Sequence, residues 1–573
     1  MNRIDRVVIA GLVLILAVAA IAIGGPALAP TTATPTAAPS QLAVSLPYRE
    51  GILSRPTNVN PLAARTQADR DLVALVFDGL LGRAGDGRPL PAIARSWTAS
   101  DDGDVWTFQL DPDRRWQDGE ALTADDVVFT IETLQDADYD GPGAGSWAGI
   151  AVTASDPETV RFELATPIGG FLELATQPIV PRHLLGDTPP ASMGDAPFGR
   201  QPIGSGAYAV TELDRDHAVL EPAAGTAAPT TSDPPPAPPD LLATPTPTPR
   251  PNTVSRTLDR LELRFFDDAA SLAAAFRNGE LDAASGLDPV AASALTAVGA
   301  ESVHYPTTTL AAVILNLHPT EDAFADPRTR RALLGAIDRE RIRDVVYGGA
   351  AVRADGLIPP SSWAFDPSVN VPVKRDLTAS ASALKAAGWK KEKDGWHLGG
   401  GKAPRALELL VPDRTMNPTL FAVGSQVAAD WTSLGFKVDI VEEAPAVIAT
   451  DHLRGGDFEA AVVDIAIGHD PDLYPLLASS QIRTGGANVI GLQDQLLDGL
   501  LEAARKPSEL AARLDAYKAL QERLQGGTYL LPIAWPDDVV VLGSRVRGPV
   551  AREVADGSER FRDVLTWRLA DDR

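Results

Sequence analysis

The sequence predicts a protein of the α/β class with at least two lobes. Three observations support this. At 573 residues the chain is well past the size at which a single hydrophobic core keeps growing. Its apolar share of 45% and charged share of 22% are those of an ordinary globular protein. Short alternating or continuous apolar runs, the patterns of strands, are interleaved with amphipathic helical stretches in no fixed repeat.

The chain opens with Met-Asn-Arg-Ile-Asp-Arg and then VVIAGLVLILAVAAIAI (7–23), seventeen residues without a charged or polar side chain. That is near the lower limit for a helix crossing a bilayer, where about 20 residues is usual. Arg3 and Arg6 precede it and no basic cluster follows, which places the start in the cytoplasm and the bulk of the chain outside. A cleaved signal peptide has a similar form, and Ala27-Leu28-Ala29 has the small-x-small pattern of a cleavage site. Pro30 directly after it disfavours cleavage, so residues 1–29 are read as an uncleaved single-pass membrane anchor. The chain has no cysteine. Disulfides, thiolate metal sites, a cysteine nucleophile and a lipid on an N-terminal cysteine are thereby excluded, and the apolar helix is the one tether the sequence offers.

Residues 30–45 are a linker with too little apolar content to fold. VWTFQL (105–110) alternates, with Trp106, Phe108 and Leu110 on one face of a strand. In WQDGEALTADDVVFT (116–130), Asp118-Gly119 signals a turn and Thr123 caps a helix, with Asp126 in the capping-box place. Val127, Val128, Ile131 and Leu134 form its apolar stripe. Strand, turn and capped helix account for these acidic residues without a catalytic role. PAAGTAAPTTSDPPPAPPDLLATPTPTPRPNT (222–253) is too rich in proline to pack and reads as either a domain boundary or a long surface insertion.

AAVILNL (311–317) suits a buried strand. DPRTRRALLGAIDRERIRDVVYGG (326–349) reads as one helix, with Asp326 as N-cap, Pro327 at the first helical position and Gly348 as the stop. GWHLGGGKAP (395–404) lacks the order of a phosphate loop and reads as a hairpin tip. Residues 497–525 give two helices broken near Pro507.

The net charge of −25, with no sharp basic patch, excludes a nucleic-acid partner. The histidines at 183, 217, 304, 318, 397, 452 and 469 show no zinc-site spacing, and no HExxH or GxSxG occurs, so neither metal nor cofactor is expected.

Several blocks in one order resemble a known family. ARSWTASDDGDVWTFQLDPDRRWQDGEALTADDVVFTIETL (94–134) is similar to the signature of the peptide/nickel-binding family (family 5) of extracellular solute-binding proteins, the receptors of ABC importers. PIGSGAYAV (202–210), LAAAFRNGELDAASGLDP (272–289), the segment 310–351 and the late block beginning DPDLYPLL (470–505) continue the resemblance, which runs from about Tyr48 to Leu542. It implies a periplasmic-binding-protein-like fold with two lobes that hinge shut on a ligand. One lobe would take 46–309 plus 529–573, with 222–253 as a disordered insertion, and the other 310–528.

The resemblance also implies the function: capture of a small solute, a peptide or similar, outside the membrane and delivery to a permease with its ATPase, without chemistry on the ligand. Where family members bind peptides, an aspartate shortly before the late DPD block holds the α-amino group. Here that place is Ile467 or Gly468, with Asp464 and Asp470 nearby. Candidate ligand contacts are Arg55, Asn58 and Asn60 after the first strand, Trp147 and Trp363 on Gly/Pro-rich loops, Asn316 at a strand end, Asp464, Asp470, Asp472, and Trp535 in the return segment. Asp470-Pro471 equally forms a plain helix cap. Two alternatives stand beside the receptor: an extracellular carboxylate-dependent hydrolase using Asp470/Asp472 or Asp101/Asp102, and an anchored solute receptor not coupled to transport.

Overall fold

A computed structural model describes residues 47–84, 87–223, 258–297, 299–319, 323–399, 401, 403–483, 486–506 and 510–570. The apolar run 7–23, the linker 30–45 and nearly all of the insertion 222–253 lie outside the described residues. Among the described residues no helix is long and apolar enough to cross a membrane.

A mixed sheet of twelve strands forms the spine. Its order is Lys437–Glu443, Ala406–Pro412, Ala460–Ala466, Thr309–Leu315, Leu530–Leu542, Ala283–Ser285, Tyr48–Ile52, Leu261–Phe265, His217–Pro222 and Tyr208–Leu213; Glu301–Pro306 and Ala351–Arg353 also pair with Leu530–Leu542. The thirteen-residue strand Leu530–Leu542 changes partners along its length. Its first part lies against Thr309–Leu315, from Ile314↔Leu530 to Ala311↔Ala534. Its second part lies against Glu301–Pro306, from Pro306↔Asp537 to Glu301↔Leu542. The chain between those two partners, Thr307-Thr308, crosses beside Pro536: both the amide and the hydroxyl of Thr307 donate to the Pro536 carbonyl, at 3.2 and 2.7 Å. Two chain passages therefore run side by side where the sheet changes partners.

Buried apolar side chains cluster on either side of that point. The largest cluster is built from residues 48–305 and 540–567 and includes an antiparallel sheet ordered Ala94–Ala99, Val105–Leu110, Thr159–Leu164, Ile150–Asp156. The predicted face of Trp106, Phe108 and Leu110 is buried there, against Phe162 and Phe171. Two further clusters cover the opposite faces of the strands Thr309–Leu315 and Ala460–Ala466.

The acidic stretch 116–130 is structural, as its pattern predicts. Gly119 has φ +95, a turn conformation that suits glycine. The Asp126 carboxylate accepts from the amides of Thr123 (2.9 Å) and Arg182 (2.8 Å), and Asp118 meets His183 Nε2 at 2.8 Å. The helix expected over 326–349 is divided. It runs Pro327–Ala336, breaks at Ile337-Asp338, and resumes as Arg339–Arg341 and a wider turn over Ile342–Val346. The break has a local cause: the Asp338 amide donates to Asp430 (2.9 Å), and the Asp338 carboxylate caps the next turn at Arg341 N (3.0 Å). The hairpin at 389–398 turns at Lys393-Asp394, so Gly395 begins its second strand and does not form a tip. Helices Gln495–Arg505 and Leu510–Gly527 flank Pro507, as expected.

The C-terminal segment returns to the first strand through Arg560, which is 1% exposed. Its guanidinium reaches Glu50 (2.8 and 3.0 Å) and both oxygens of Asp71 (2.7 Å each). Burial disfavours the charge, but the two carboxylates outweigh it and push the Arg560 pKa up. Removing one partner of such a buried group typically costs about 3–5 kcal/mol, because the other charges stay buried unpaired. Arg560→Met is expected to lower stability by roughly that amount in urea titration. The triple variant that adds Glu50→Gln and Asp71→Asn is expected to recover a large part of it.

Candidate functional site

The strand Ala460–Ala466 pairs along its whole length with Thr309–Leu315. On its other edge only Ala460 and Ala461 have partners, Leu409 and Leu410. Among the described residues the outer edge from Val463 to Ala466 therefore carries no strand. Unpaired edges of this kind present a row of backbone donors and acceptors to an incoming extended chain. Asp464 lies on this stretch, opposite Ala311, two residues from the strand's end.

Asp464 differs from its acidic neighbours in two ways. It has no ion-pair partner among the described residues, and its side chain remains exposed. Burial nevertheless pushes its carboxyl up to about 6. The side chain thus meets water while neighbouring protein still desolvates its charge. Tyr347, buried beside it, has its phenol pushed up by burial first and by the Asp464 charge second.

Beyond the strand the Ile467 amide donates to Thr308 O (3.0 Å), Gly468 turns at φ +82, and the chain enters His469-Asp470-Pro471-Asp472. Asp470 faces Arg513 through both carboxylate oxygens (3.0 and 2.9 Å) and receives the Tyr517 hydroxyl at 3.3 Å. The Arg513 guanidinium lies 4.5 Å over the Trp363 ring, which meets Tyr517 edge-on at 5.2 Å. Asp472 pairs with Arg505 (3.0 Å) and accepts from Tyr474 N (3.0 Å); Arg505 covers the Tyr474 ring at 4.3 Å. The short helix Tyr474–Leu477 has Leu473 at its N-cap and no side-chain cap, so Asp470 does not form the expected cap and is engaged by Arg513 instead, while Asp472 accepts from the first helical amide.

Segments distant in sequence press against this loop. The Gly169 amide donates to Arg505 O at 2.7 Å. A Cβ placed on Gly169 would lie 2.9 Å from Arg513 Cζ, and one on Gly170 3.0 Å from Asp470 Cγ. A larger residue at either position would therefore need the facing Arg513 or Asp470 side chain to give way.

Of the residues singled out from the sequence, the structure gathers Trp363, Asp470 and Asp472 on this wall, with Asp464 on the strand leading into it. The others lie elsewhere. Arg55 makes ion pairs with Asp216 and Asp267. Asn58 and Asn60 donate to the carbonyls of Gly194 (2.7 Å) and Met193 (3.2 Å) and order their own turn. Trp147 is buried in the largest core against Phe162 and Phe171. Trp535 is a core residue of the long strand, opposite Val352. Asn316 is buried and donates to Gly456 O and Phe458 O at 3.1 and 2.8 Å. It lines an open recess of about 360 Å³ with Glu408, Asp439 and Asp457, at the opposite end of the strand pair from Asp464.

The hydrolase alternative finds no support in Asp470 and Asp472, since an arginine neutralises each, and Asp101 and Asp102 are exposed on a turn. Glu392, Asp394 and His397 come together at the hairpin turn, a grouping that sequence spacing did not reveal. His397 meets Asp394 (2.9 Å) and Gly401 O (3.1 Å); the Asp394 contact raises the imidazole's pKa, as in an ordinary ion pair. Arg513, Tyr517, Arg505 and Gly169-Gly170 are the wall residues that sequence reasoning missed, because helix-borne arginines and a Gly-Gly pair carry no signal of what they will face.

A two-lobed mixed α/β architecture with two antiparallel chain crossings side by side is that of a solute-binding protein. The comparisons specify which kind. Residues 88–484 match the model of bacterial extracellular solute-binding proteins, family 5 Middle, and the chain belongs to that family. Among curated relatives, Protein XP55 of Streptomyces lividans is 27% identical over 511 residues, covering 87% of this chain and 85% of that protein. The oligopeptide-binding protein AppA of Bacillus subtilis is 24% identical, covering 87% and 88%. Its crystal structure in complex with a nonapeptide superposes with a TM-score of 0.72 at 20% identity, over 92% of this chain and 99% of that one. NikZ of Campylobacter jejuni in complex with Ni(L-His) gives 0.71 at 21%, over 91% and 99%.

Gly170→Val is expected to wedge the Asp470 loop away from the 168–171 segment. Small-angle scattering should show a larger radius of gyration, while the melting temperature moves little because Gly170 is not part of any of the buried clusters. A compact, unchanged envelope would show that the close approach carries no weight.

Proposed function

We propose that this protein is the receptor of an ABC importer. It would capture a peptide or peptide-like solute outside the membrane, close on it, and present it unaltered to a permease driven by an ATPase. The observation that carries the reading is the unpaired edge Val463–Ala466 with Asp464 on it. An extended peptide adds to such an edge through main-chain hydrogen bonds, which tolerate many side chains, while the one free carboxylate selects for a cationic group. The peptide-binding descriptions of AppA and of the dipeptide- and di/tripeptide-binding relatives support this choice of solute.

The lobes in this proposal are 46–309 plus 529–573 and 310–528, with 222–253 inserted in the first. Closure turns about Thr307-Thr308 and Pro536, where the sheet changes partners. Trp363 and Tyr517, ordered by Arg513, supply an apolar wall, and Asp470 and Asp472 hold those arginines and do not themselves meet the solute. Residues 7–23 hold the receptor beside its permease. The chain is expected in the membrane fraction of cells, and deletion of 1–29 is expected to release it; wild-type protein free in the medium would refute the anchor.

Ligands that prefer the folded form raise its stability, by about 2.7 kcal/mol at a hundred times Kd. A thermal-shift screen of peptides, sugars and metal chelates is expected to single out peptides with a free ammonium group. Asp464→Asn should weaken these roughly 10- to 100-fold, the range for a charge-assisted contact, and leave N-acetylated peptides unaffected. For the wild type the same loss should appear as pH falls through about 6, where Asp464 protonates. Sugars or chelates binding where all peptides fail would refute the peptide assignment.

A further inference from the structure

His469 stands on the loop leaving the strand Ala460–Ala466, yet its partners are from the far end of the chain. Its Nδ1 lies 3.0 Å from Glu553, and its Nε2 2.9 Å from Glu559 and 2.9 Å from an Arg562 nitrogen. Glu553, Glu559 and Arg562 belong to the C-terminal segment that Arg560 fastens to Glu50 and Asp71. Among the described residues Arg83, ion-paired with Glu173, also faces the imidazole, and Asp470 next to it is engaged by Arg513. The His469 side chain is 8% exposed, so this is an internal joint and not a surface pair.

The two partners of Nε2 give the ring a hydrogen bond in either charge state. Neutral, it donates from Nδ1 to Glu553 and accepts at Nε2 from Arg562. Protonated, it donates at both nitrogens, to Glu553 and Glu559. We propose that His469, with Glu553, Glu559 and Arg562, is a proton-operated latch that draws the two lobes together without a bound solute. This rests on the lobe assignment above, since in it His469 belongs to one lobe and its partners to the other.

The sign follows from linkage. In the joined state burial disfavours the imidazolium, but the bonds to Glu553 and Glu559 outweigh it and the pKa stands above its ordinary value. With the lobes apart the ring is in water, at about 6.5. Closure therefore takes up a proton. The latch is at full strength below the ordinary value and fades as pH rises through the joined-state pKa. Asp464 acts in the opposite sense on cationic solutes, so ligand affinity alone would mix the two effects.

The absence of cysteine permits a test without ligand. Thr153→Cys and Lys437→Cys, both exposed positions, accept a spin-label pair that reports the separation of the lobes. In the ligand-free chain the short distance is expected to dominate at pH 6. The ratio of short to long should fall about tenfold for each unit by which closure raises the pKa, as pH is taken to 9. His469→Gln, which keeps hydrogen-bonding capacity but cannot charge, should abolish the pH dependence. Glu553→Gln should move its midpoint down, and it carries the test should His469→Gln not fold. A wild-type distribution that ignores pH, a dependence that survives in His469→Gln, or a midpoint that Glu553→Gln leaves unmoved overturns the latch. Neither result depends on peptide binding, so failure of the transport reading is distinguishable from failure of the latch.

Discussion

The rest of the structure depends on the continuity of the strand Leu530–Leu542. Its backbone groups are paired first with one set of strands and then with another, so its own pleat fixes the geometry between them. A strand bonded on its edges resists torsion, because every rotation away from the ladder leaves polar groups unpaired at about 1–3 kcal/mol each. Bending is cheap only where the ladder is already interrupted. That place is narrow: Pro536 has no N–H to give, and Thr307-Thr308 is the break between Glu301–Pro306 and Thr309–Leu315. The interruption lies on one edge of the long strand, since Ala351–Arg353 pairs with Ala534–Pro536 on the other, and the loop carrying His469 to Asp472 begins beside it, through Ile467 and Thr308.

Charge pairing then decides what is left for a guest. The chain carries −25 overall, yet on the wall near the crossings nearly every carboxylate is matched: Asp470 by Arg513, Asp472 by Arg505, Glu559 by His469 and Arg562. These pairs act as scaffolding. They hold guanidinium planes over Trp363 and Tyr474 and so fix the aromatic surfaces. Asp464 remains outside the network; in the proposed receptor its discrimination would come from the cost of leaving it desolvated without a cation.

The elements with strong local signals were legible in the sequence. Alternation placed Trp106, Phe108 and Leu110 on one buried face, the capping box at Thr123 and Asp126 formed, and the run 311–317 lies largely in a buried strand. Errors arose where distant contacts override local pattern. The stretch 326–349 has helical periodicity throughout, but Asp430, ninety-two residues away, takes the Asp338 amide and divides it. Asn316, Trp147 and Trp535 are of residue types that often line clefts, and residue type cannot tell a cleft from a core; all three are buried among their own neighbours. Gly169-Gly170 and Arg513 matter through what they approach, which only three-dimensional packing specifies. The sequence points to Asp464 only through its place near the late block, and its exposure within surrounding protein is a feature of the fold.

A hinge needs contacts across it that are specific but weak in net effect. Apolar surface buried between lobes would stabilise closure in proportion to area and make opening slow. Hydrogen-bonded ion pairs behave differently, since each group released on opening regains water and the balance between the two states stays small. The contacts joining the Asp470 loop to the C-terminal segment are of this second kind: an imidazole, two carboxylates and a guanidinium, with the Gly169 amide alongside. In the proposed receptor such a joint would set orientation on closing and let a modest additional free energy, from a proton at His469 or a guest on the Val463–Ala466 edge, decide which state is populated.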